Sequence, residues 1–454
     1  MSAVLILLAL VGFSLPLAYA LVRAWPGAIA LAPVLTGLLA VIATVLSIAT
    51  RTALLPWMGV VFVVEVVVVI GTWGRVPVLR VLHVDARAFA AFAAAFVPSW
   101  LLITRAPAGT AFWDARGHWW FHADWFAAGG ARAAAALGNP AFGFSHADYP
   151  PFGSALTAGT WVLTGGRDRG DVGARIVAAA VTTSALLIGA LVISRLLRSE
   201  SPVVGILAGV GFILCSTSLA PEFLFSGDAD HLWAALFTAS AILLLVFPWR
   251  RDVVILGSML LAAATLTKNE ALVAGCALAV LVAVRHRHRI RSAAVVALPL
   301  VAGFGWVVLV RAHGAASEYT SSHRLHALFR GNFEALDRVG PSLRSEISTS
   351  RWVLIATLLV GLVGFRHLVR PLRTGGGAPA WLIAAAGALA VLATAAYTVS
   401  PYDLDWQLHT SVARTMVAPQ MLCLATVALV VGGALAEAWA PGAKGAEVVE
   451  PHHV

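Results

Sequence analysis

Acidic, basic and histidine side chains that could do chemistry gather in a few polar segments of an otherwise apolar chain. Those segments span residues 105–153, 220–231, 267–270, 312–350 and 399–411. A carboxylate can take a proton from a hydroxyl, and a buried lysine or arginine can hold a phosphate oxygen. Because ionisable groups are costly in apolar surroundings, these segments are where function is expected.

Asp114 is the acid best placed for proton transfer. It lies in the sequence FWDARGHWW, shortly after the fourth apolar stretch ends. One interpretation makes Asp114 a general base for an incoming hydroxyl. The other makes it the N-cap of a helix that begins at Ala115, because Asp accepts hydrogen bonds from the free N–H groups of a first turn. The sequence leaves both open.

Two cationic side chains lie where apolar stretches break or begin. Lys268, next to Glu270 in the sequence TKNE, could hold a phosphate oxygen or form an ion pair with that neighbour. Arg414 opens the last long apolar stretch, where a guanidinium near a helix N-terminus suits a phosphate or pyrophosphate. Its alternative role is to extend to the membrane surface.

Two further sets of residues have both a chemical and a structural interpretation. His146, Asp148 and Tyr149 precede two prolines and form either part of a substrate site or a rigid turn. Asp228 and Asp230 have the spacing of carboxylates that share a hard cation, which makes them candidates for a second acid site. They could equally cap the helix that follows.

The composition identifies a polytopic membrane protein. Hydrophobic residues make up 60% of the 454 residues, charged residues only 12%, and the mean hydropathy is +0.87. The formal net charge of +9 comes from basic residues in short loops, which is the pattern of cytoplasmic loops and not of a nucleic-acid-binding surface. The three cysteines all lie in apolar stretches and are interpreted as small buried side chains.

The apolar stretches predict an all-α, polytopic transmembrane protein with about 13 spans. N-terminal transmembrane helices are expected at 1–104, an outer loop at 105–153, a transmembrane core at 154–436 and a cytoplasmic tail at 437–454. The run 154–165 is short for a span. The predicted spans are 2–22, 27–50, 52–71, 87–104, 173–194, 202–219, 231–248, 252–267, 270–284, 293–310, 351–366, 379–399 and 412–436.

Basic loops set the expected orientation. Arg23, Arg75, Arg80 and Arg87 mark alternate loops as cytoplasmic, which places the N-terminus and the 105–153 loop outside. The later basic clusters RHRHRIR at 285–291 and RHLVRPLR at 366–373 are expected on the same cytoplasmic face, and RHRHRIR is interpreted as a solvated, lipid-facing loop. Residues 2–22 lack a basic leader and a clear cleavage site and are expected to remain as a helix. The tryptophans of the outer loop predict short helices lying at the membrane–water interface.

Four motifs together resemble one family. They are WDARGHWW at 113–120, HADYPPFGS at 146–154, TKNEALVA at 267–274 and DLDWQLHTSVARTMVAPQ at 403–420. With these motifs the chain resembles the polytopic, lipid-carrier-dependent glycosyltransferases of the GT-C class, in particular bacterial members. The motifs keep the expected order over about 300 residues, and the Ala-, Arg- and Val-rich composition is typical of a high-GC bacterium such as an actinobacterium.

The resemblance implies a GT-C-like fold and an enzyme of the bacterial plasma membrane that moves a sugar from a polyprenyl-phosphate donor to an acceptor hydroxyl on the outer face. The acceptor would be a glycan, lipid or protein of the cell envelope. Asp114 would be the base, with inversion at the anomeric carbon, and Lys268 and Arg414, helped by His409, would hold the donor phosphate. The residues expected to bind substrate are His146, Asp148, Tyr149, Lys268, Glu270, Trp406, His409 and Arg414.

Cofactor use and two other functions are also weighed from the sequence. Many members of the class carry two adjacent acids where Asp114 stands between Trp113 and Ala115, so an enzyme without a cofactor is favoured over one that uses a divalent metal. The alternatives are a transporter or flippase of lipid-linked sugars, and an oligosaccharide ligase or polymerase. No internal repeat is visible and the acids gather on one face, which favours a surface enzyme over a transporter.

Overall fold

The computed structural model describes residues 3–75, 78–105, 114–165, 170–198, 201–221, 223–224, 226–289, 294–315, 339–341, 351–371, 376–398 and 404–439. Within these ranges the chain is helical and contains no strand, which confirms the expected all-α class. Most of the polar segment 312–350, residues 399–403 and the tail beyond residue 439 lie outside the described residues.

The helices follow the predicted apolar segments closely, because a chain in lipid must satisfy its backbone hydrogen bonds within each segment. In chain order they are α1 (Ala3–Gly12), α2 (Leu15–Val22), α3 (Trp25–Thr50), α4 (Leu54–Thr72), α5 (Ala86–Ala95), α6 (Val97–Arg105), α7 (Phe121–Ala128), α8 (Gly130–Leu137), α9 (Phe152–Thr164), α10 (Gly170–Leu197), α11 (Pro202–Thr217), α12 (Asp230–Ala241), α13 (Arg251–Thr265), α14 (Asn269–Arg285), α15 (Leu298–Ala312), α16 (Arg351–Val363), α17 (Phe365–Val369), α18 (Ala380–Thr398), α19 (Leu404–Thr415) and α20 (Val417–Ala438).

Six helical segments in the described part of the chain are long and apolar enough to cross a membrane, and α1 with α2 makes a seventh if that bent pair is one span. The bend of 49° between them comes just before Pro16, which has no N–H to donate. The N–H of the next residue, Leu17, donates to the carboxylate of Glu65 on α4 at 3.1 Å. The predicted span 2–22 is therefore a broken helix held by a neighbouring acid.

The centre of the bundle is α12 and the π-helical turn that follows it (Ile242–Val246). Every residue from Asp230 to Val246 is buried, and α12 packs against α10, α13 and α20. A helix that is apolar all round needs such a position. Exposed apolar side chains instead lie on outer helices such as α4 and α16, as expected for surfaces that face lipid.

The polar segment before α9 folds back onto the bundle. A π-helical turn (Ala115–Trp120) leads into α7, which packs on α9, while α8 packs on α3. Trp119, Trp120 and Trp125 are buried within the protein. The sequence predicted short helices at the membrane–water interface here and did not predict this burial. The tryptophan rings fill the space between this segment and the helices beneath it.

Arg285 corrects the interpretation of RHRHRIR as a wholly solvated loop. Its guanidinium donates to the carbonyl oxygens of Leu244, at 2.8 Å, and Phe247, at 3.0 Å. It therefore satisfies carbonyl groups that the end of the π-helical turn leaves without helical partners. Arg287 and His288 are exposed, as predicted.

Gly130 makes the close contact between α8 and α3. A β-carbon at Gly130 would lie 1.7 Å from the carbonyl oxygen of Ser47, so one backbone must move to admit it. We expect Gly130→Ala to lower the unfolding temperature in detergent by about 3 °C or more. The matched control is Gly143→Ala, because a β-carbon at Gly143 meets nothing within 4 Å. Equal unfolding temperatures for the two variants would contradict this contact.

Candidate functional site

Six charged side chains from distant parts of the sequence meet in one partly buried ion cluster. Asp114 enters from the start of the π-helical turn before α7, and Asp230 is the first residue of α12. Lys268 lies in the break between α13 and α14, Glu270 lies in the first turn of α14, and the last turn of α19 supplies Arg414. The members of the ion cluster are Asp114, Asp228, Asp230, Lys268, Glu270 and Arg414.

Arg414 is surrounded by three carboxylates. Its guanidinium pairs directly with Asp114, and the same nitrogen lies 3.9 Å from Asp228 Oδ1 and 4.0 Å from Asp230 Oδ2. The guanidinium also stands over the ring of Phe223, at 5.5 Å from the ring centre. Arg414 Nε is buried and has no hydrogen-bond acceptor among the described residues, so one donor of the planar fork is left for a ligand.

Lys268 is the second cation of the ion cluster, and it is held more tightly. Its Nζ lies 2.7 Å from Asp230 Oδ1 and 3.1 Å from Glu270 Oε1, so Asp230 connects the two cations. Burial alone would lower the pKa of Lys268, but these two carboxylates raise it above its ordinary value. Lys268 therefore stays charged at physiological pH.

The loop before α12 is shaped to place Asp228. The Ser226 hydroxyl donates to Asp228 Oδ2 at 2.6 Å and accepts from the Asp228 N–H at 3.2 Å. Gly227 between them has φ +99°, and a β-carbon there would lie 2.6 Å from the ring of Trp120, so only glycine fits.

Burial raises the pKa of Asp228 to about 7, although Arg414 acts in the opposite direction. Asp228 can therefore exchange a proton near neutral pH.

The corner that ends HADYPP is fastened to the break that carries Lys268. The N–H of Phe152, at the start of α9, donates to the carbonyl of Leu266 at 2.7 Å. The Asn269 side-chain amide donates to Asp148 Oδ2 at 3.3 Å. The sequence offered a turn or a substrate site here, and the structure shows a turn that lies directly beside the ion cluster.

The ring of Tyr149 has two stacked aromatic neighbours. Its centre lies 4.9 Å from the centre of the His146 ring and 5.2 Å from that of the Trp119 ring, so Tyr149 is part of an aromatic cluster. The carbonyl of Tyr149 accepts a hydrogen bond from Trp306 Nε1 at 2.9 Å. His146 has φ +49°, which is strained for a residue with a β-carbon, and its buried Nδ1 has no hydrogen-bond partner within the described chain.

Three interpretations made from the sequence are wrong, one at Asp114 and two at Arg414. Asp114 has helical backbone angles and makes no capping hydrogen bond, so it is not an N-cap. Arg414 lies in the last turn of α19 and not at a helix N-terminus, because the helix already begins at Leu404, inside the segment 399–411 that was expected to be a loop. Burial and ion pairing also rule out extension of Arg414 to the membrane surface.

Of the remaining predicted residues, two lie in the ion cluster and two lie on the exposed side of α19. Asp228 and Asp230 belong to the same ion cluster as Asp114, and they do not form a second acid site or cap α12. Trp406, 59% exposed, and His409 lie on the exposed side of α19. His409 is five residues before Arg414, which places it about 140° away around the helix.

Three neighbours of the site, Ser226, Asn269 and His118, were not predicted to be site residues. Ser226 begins the sequence Ser-Gly-Asp at 226–228, which is a turn signal, and Asn269 lies inside the motif TKNE. His118 is four residues after Asp114, one turn further along the same segment, and its Nε2 lies 3.1 Å from the carbonyl oxygen of Phe144. In the part of the chain that the structure describes, no three His, Cys, Asp or Glu side chains are arranged to hold a metal ion.

Comparisons of the chain with protein-family models, with curated proteins and with solved structures find no match. The function of the chain must therefore be inferred from the chemistry of the ion cluster and from its motifs.

Two buried histidines beside the site should make stability depend on pH. Burial lowers the pKa of His122 from 6.5 to about 3, and that of His118 from 6.5 to about 4. At each of these two histidines the unfolded chain binds a proton that the folded chain does not, so each histidine lowers stability as the pH falls below 6.5, by at most about 1.4 kcal/mol per pH unit. Asp228, whose pKa is raised to about 7, acts in the opposite direction over the same range. We therefore expect the loss of one histidine to make the unfolding temperature fall less, or rise more, between pH 6.5 and 5 than it does in the wild type.

The control for this prediction is His122→Gln, which keeps a donor near Ser145 Oγ, the partner of His122 Nε2 at 3.3 Å. Removing this titrating group should make the unfolding temperature of the variant fall less, or rise more, than that of the wild type as the pH drops from 6.5 to 5. A variant with the slope of the wild type would show that His122 does not contribute.

Proposed function

We propose that the chain is a membrane glycosyltransferase of the GT-C type that moves a sugar from a polyprenyl-phosphate donor to a hydroxyl acceptor on the outer face of the bacterial plasma membrane. The observation that carries this proposal is one connected set of charges, in which Arg414 pairs with the carboxylate of Asp114 and Asp230 links Arg414 to Lys268. Both cations lie within 4.0 Å of a carboxylate oxygen of Asp230, so they belong to a single site.

The chemistry needs this combination of groups. Asp114 takes the proton of the acceptor hydroxyl as that oxygen attacks the anomeric carbon of the sugar. The bond from the anomeric carbon to the phosphate oxygen breaks with inversion, and the electron pair leaves with the polyprenyl phosphate. Arg414 and Lys268 stabilise the charge on that phosphate. One base opposite the leaving group is enough, and neither a metal nor a cofactor is required by this scheme.

The proposed topology has about 13 spans. Each of the 13 apolar segments read from the sequence coincides with a helix or a helix pair, although several of these helices are shorter than 18 residues. Helices α9, α12 and α14 begin beside the ion cluster, so the site lies at one end of the bundle, where a lipid-borne phosphate and a water-soluble or lipid acceptor can meet.

Glu65 is the observation that favours the alternative function, a transporter or flippase of lipid-linked sugars. Its carboxylate is buried inside the span α4, far along the helix from either end, and one oxygen has no hydrogen-bond partner among the described residues. Ionisable groups inside spans often serve transport. Loss of lipid flipping in Glu65→Gln, with sugar transfer absent in wild type, would favour this alternative.

The enzyme proposal predicts the effect of Asp114→Asn. The protein, purified in nanodiscs, is given synthetic polyprenyl-phosphate sugars and a membrane extract as the source of acceptor, and the release of polyprenyl phosphate is followed. We expect turnover by wild type and a loss of about 100-fold or more in Asp114→Asn, because the base is gone while the site keeps its shape.

The matched control is Asp124→Asn, which removes one carboxylate from α7 in the same polar segment and should keep the wild-type rate. Unfolding temperatures of all three proteins are compared to exclude misfolding. Turnover of Asp114→Asn at the wild-type rate, or no consumption of any donor by wild type, would contradict the proposal.

A further inference from the structure

We infer that Arg414 holds Asp114 in an ion pair that an anionic lipid must break, so that donor binding itself frees the base. The inference rests on the proposed function for the identity of the anion, and it concerns the order of events at the site. It assigns Arg414 two successive partners, first Asp114 and then the phosphate of a polyprenyl phosphate.

The first observation is the direct contact between the two side chains. The Arg414 guanidinium donates to Asp114 Oδ2 across 300 residues of sequence. A carboxylate oxygen that already accepts a hydrogen bond from a guanidinium is occupied, so Asp114 Oδ2 must be released before a hydroxyl can approach it. The arrangement in the structure is therefore that of a resting site, in which the base is neutralised by the group expected to hold the donor.

The second observation is the charge of the ion cluster. It contains four carboxylates and two cations, which gives a net charge of −2 when all are ionised and −1 when Asp228 carries a proton. A phosphate that enters such a site meets excess negative charge, so it must compete with the acids for a cation. Binding of the anion and release of a carboxylate are therefore coupled.

Arg414 is the cation that can change partners. Lys268 is fixed by two carboxylates within 3.1 Å, whereas Arg414 has one close carboxylate and two others near 4 Å. Its buried Nε has no acceptor among the described residues, so the guanidinium can take two phosphate oxygens at once after a small rotation.

The apolar packing of the helix that carries Arg414 is separate from the main core. Its buried residues Leu408 and Val412 lie with Met416 in a small apolar cluster. The hydroxyl of Tyr397 on α18 lies 2.9 Å from Ser411 Oγ and 2.8 Å from Thr415 Oγ1. These contacts hold α19 in place, so the exchange of partners is assigned to the side chain of Arg414.

The test is a binding measurement, so it does not depend on turnover. Farnesyl phosphate, an isoprenoid monophosphate without a sugar, is titrated calorimetrically into wild type and variants in detergent. Asp114→Asn should bind it about fivefold or more tightly than wild type, because the competitor for Arg414 is gone. Arg414→Gln should bind it more weakly, and Asp124→Asn should match the wild type.

The double variant Asp114→Asn with Arg414→Gln checks that the gain passes through Arg414. It should bind no tighter than Arg414→Gln alone. Inorganic phosphate is titrated in the same way, and a gain with this probe in Asp114→Asn also supports the inference and shows that the anion alone breaks the pair. Should Asp114→Asn fail to fold, Asp114→Ser removes the same charge and is measured in its place.

Equal or weaker binding of farnesyl phosphate by Asp114→Asn, or a gain that persists in the double variant, would overturn the inference. These outcomes are separate from failure of the proposed function. If wild type consumes no donor while Asp114→Asn binds the phosphate more tightly, the exchange of partners stands and the transferase proposal fails. If wild type consumes donor while Asp114→Asn binds farnesyl phosphate no more tightly, the transferase proposal stands and the exchange of partners fails.

Discussion

The cost of taking charged groups out of water is the constraint on which this structure depends. The effective cost in real proteins is several kcal/mol for each ion, and a counter-charge at short distance is needed to offset it. Asp230 meets this need at the centre of the ion cluster, because its two oxygens face Lys268 at 2.7 Å and Arg414 at 4.0 Å. The helices are arranged so that these three side chains can reach one another.

Helix ends and breaks provide the necessary positions. Asp230 opens α12, Lys268 occupies the break between α13 and α14, and the corner before α9 is tied to that break by the hydrogen bond from Phe152 to Leu266. The ends of a helix leave backbone N–H and carbonyl groups without helical partners, and here the N–H of Phe152 and the carbonyl of Leu266 bond to each other. The same irregular backbone therefore supplies both the shape and the charges of the site.

The sequence predicted the helices well and the site only in part. Segments of about 20 apolar residues identify spans whatever their neighbours are, and charged residues such as Lys268 and Arg414 stand out in such a chain. What could not be predicted is which charges meet, because Asp228 joins Asp114 only through the packing of α12 and the preceding loop. Burial of Trp119 and Trp120 depends on the same packing, whereas tryptophan in a polar segment of a membrane protein more commonly marks an interface.

The separation of 300 residues between Asp114 and Arg414 has a consequence for biogenesis. At ordinary synthesis rates of about 5–20 residues per second, Asp114 exists for about 15–60 s before Arg414 is made. During that interval the acids of the first half lack their main counter-charge, and α12 cannot bury Asp230 without cost until Lys268 follows it. The last helices therefore complete the electrostatic balance of the fold, and a nascent chain that stops short of α19 presents the insertion and quality-control machinery with uncompensated acids.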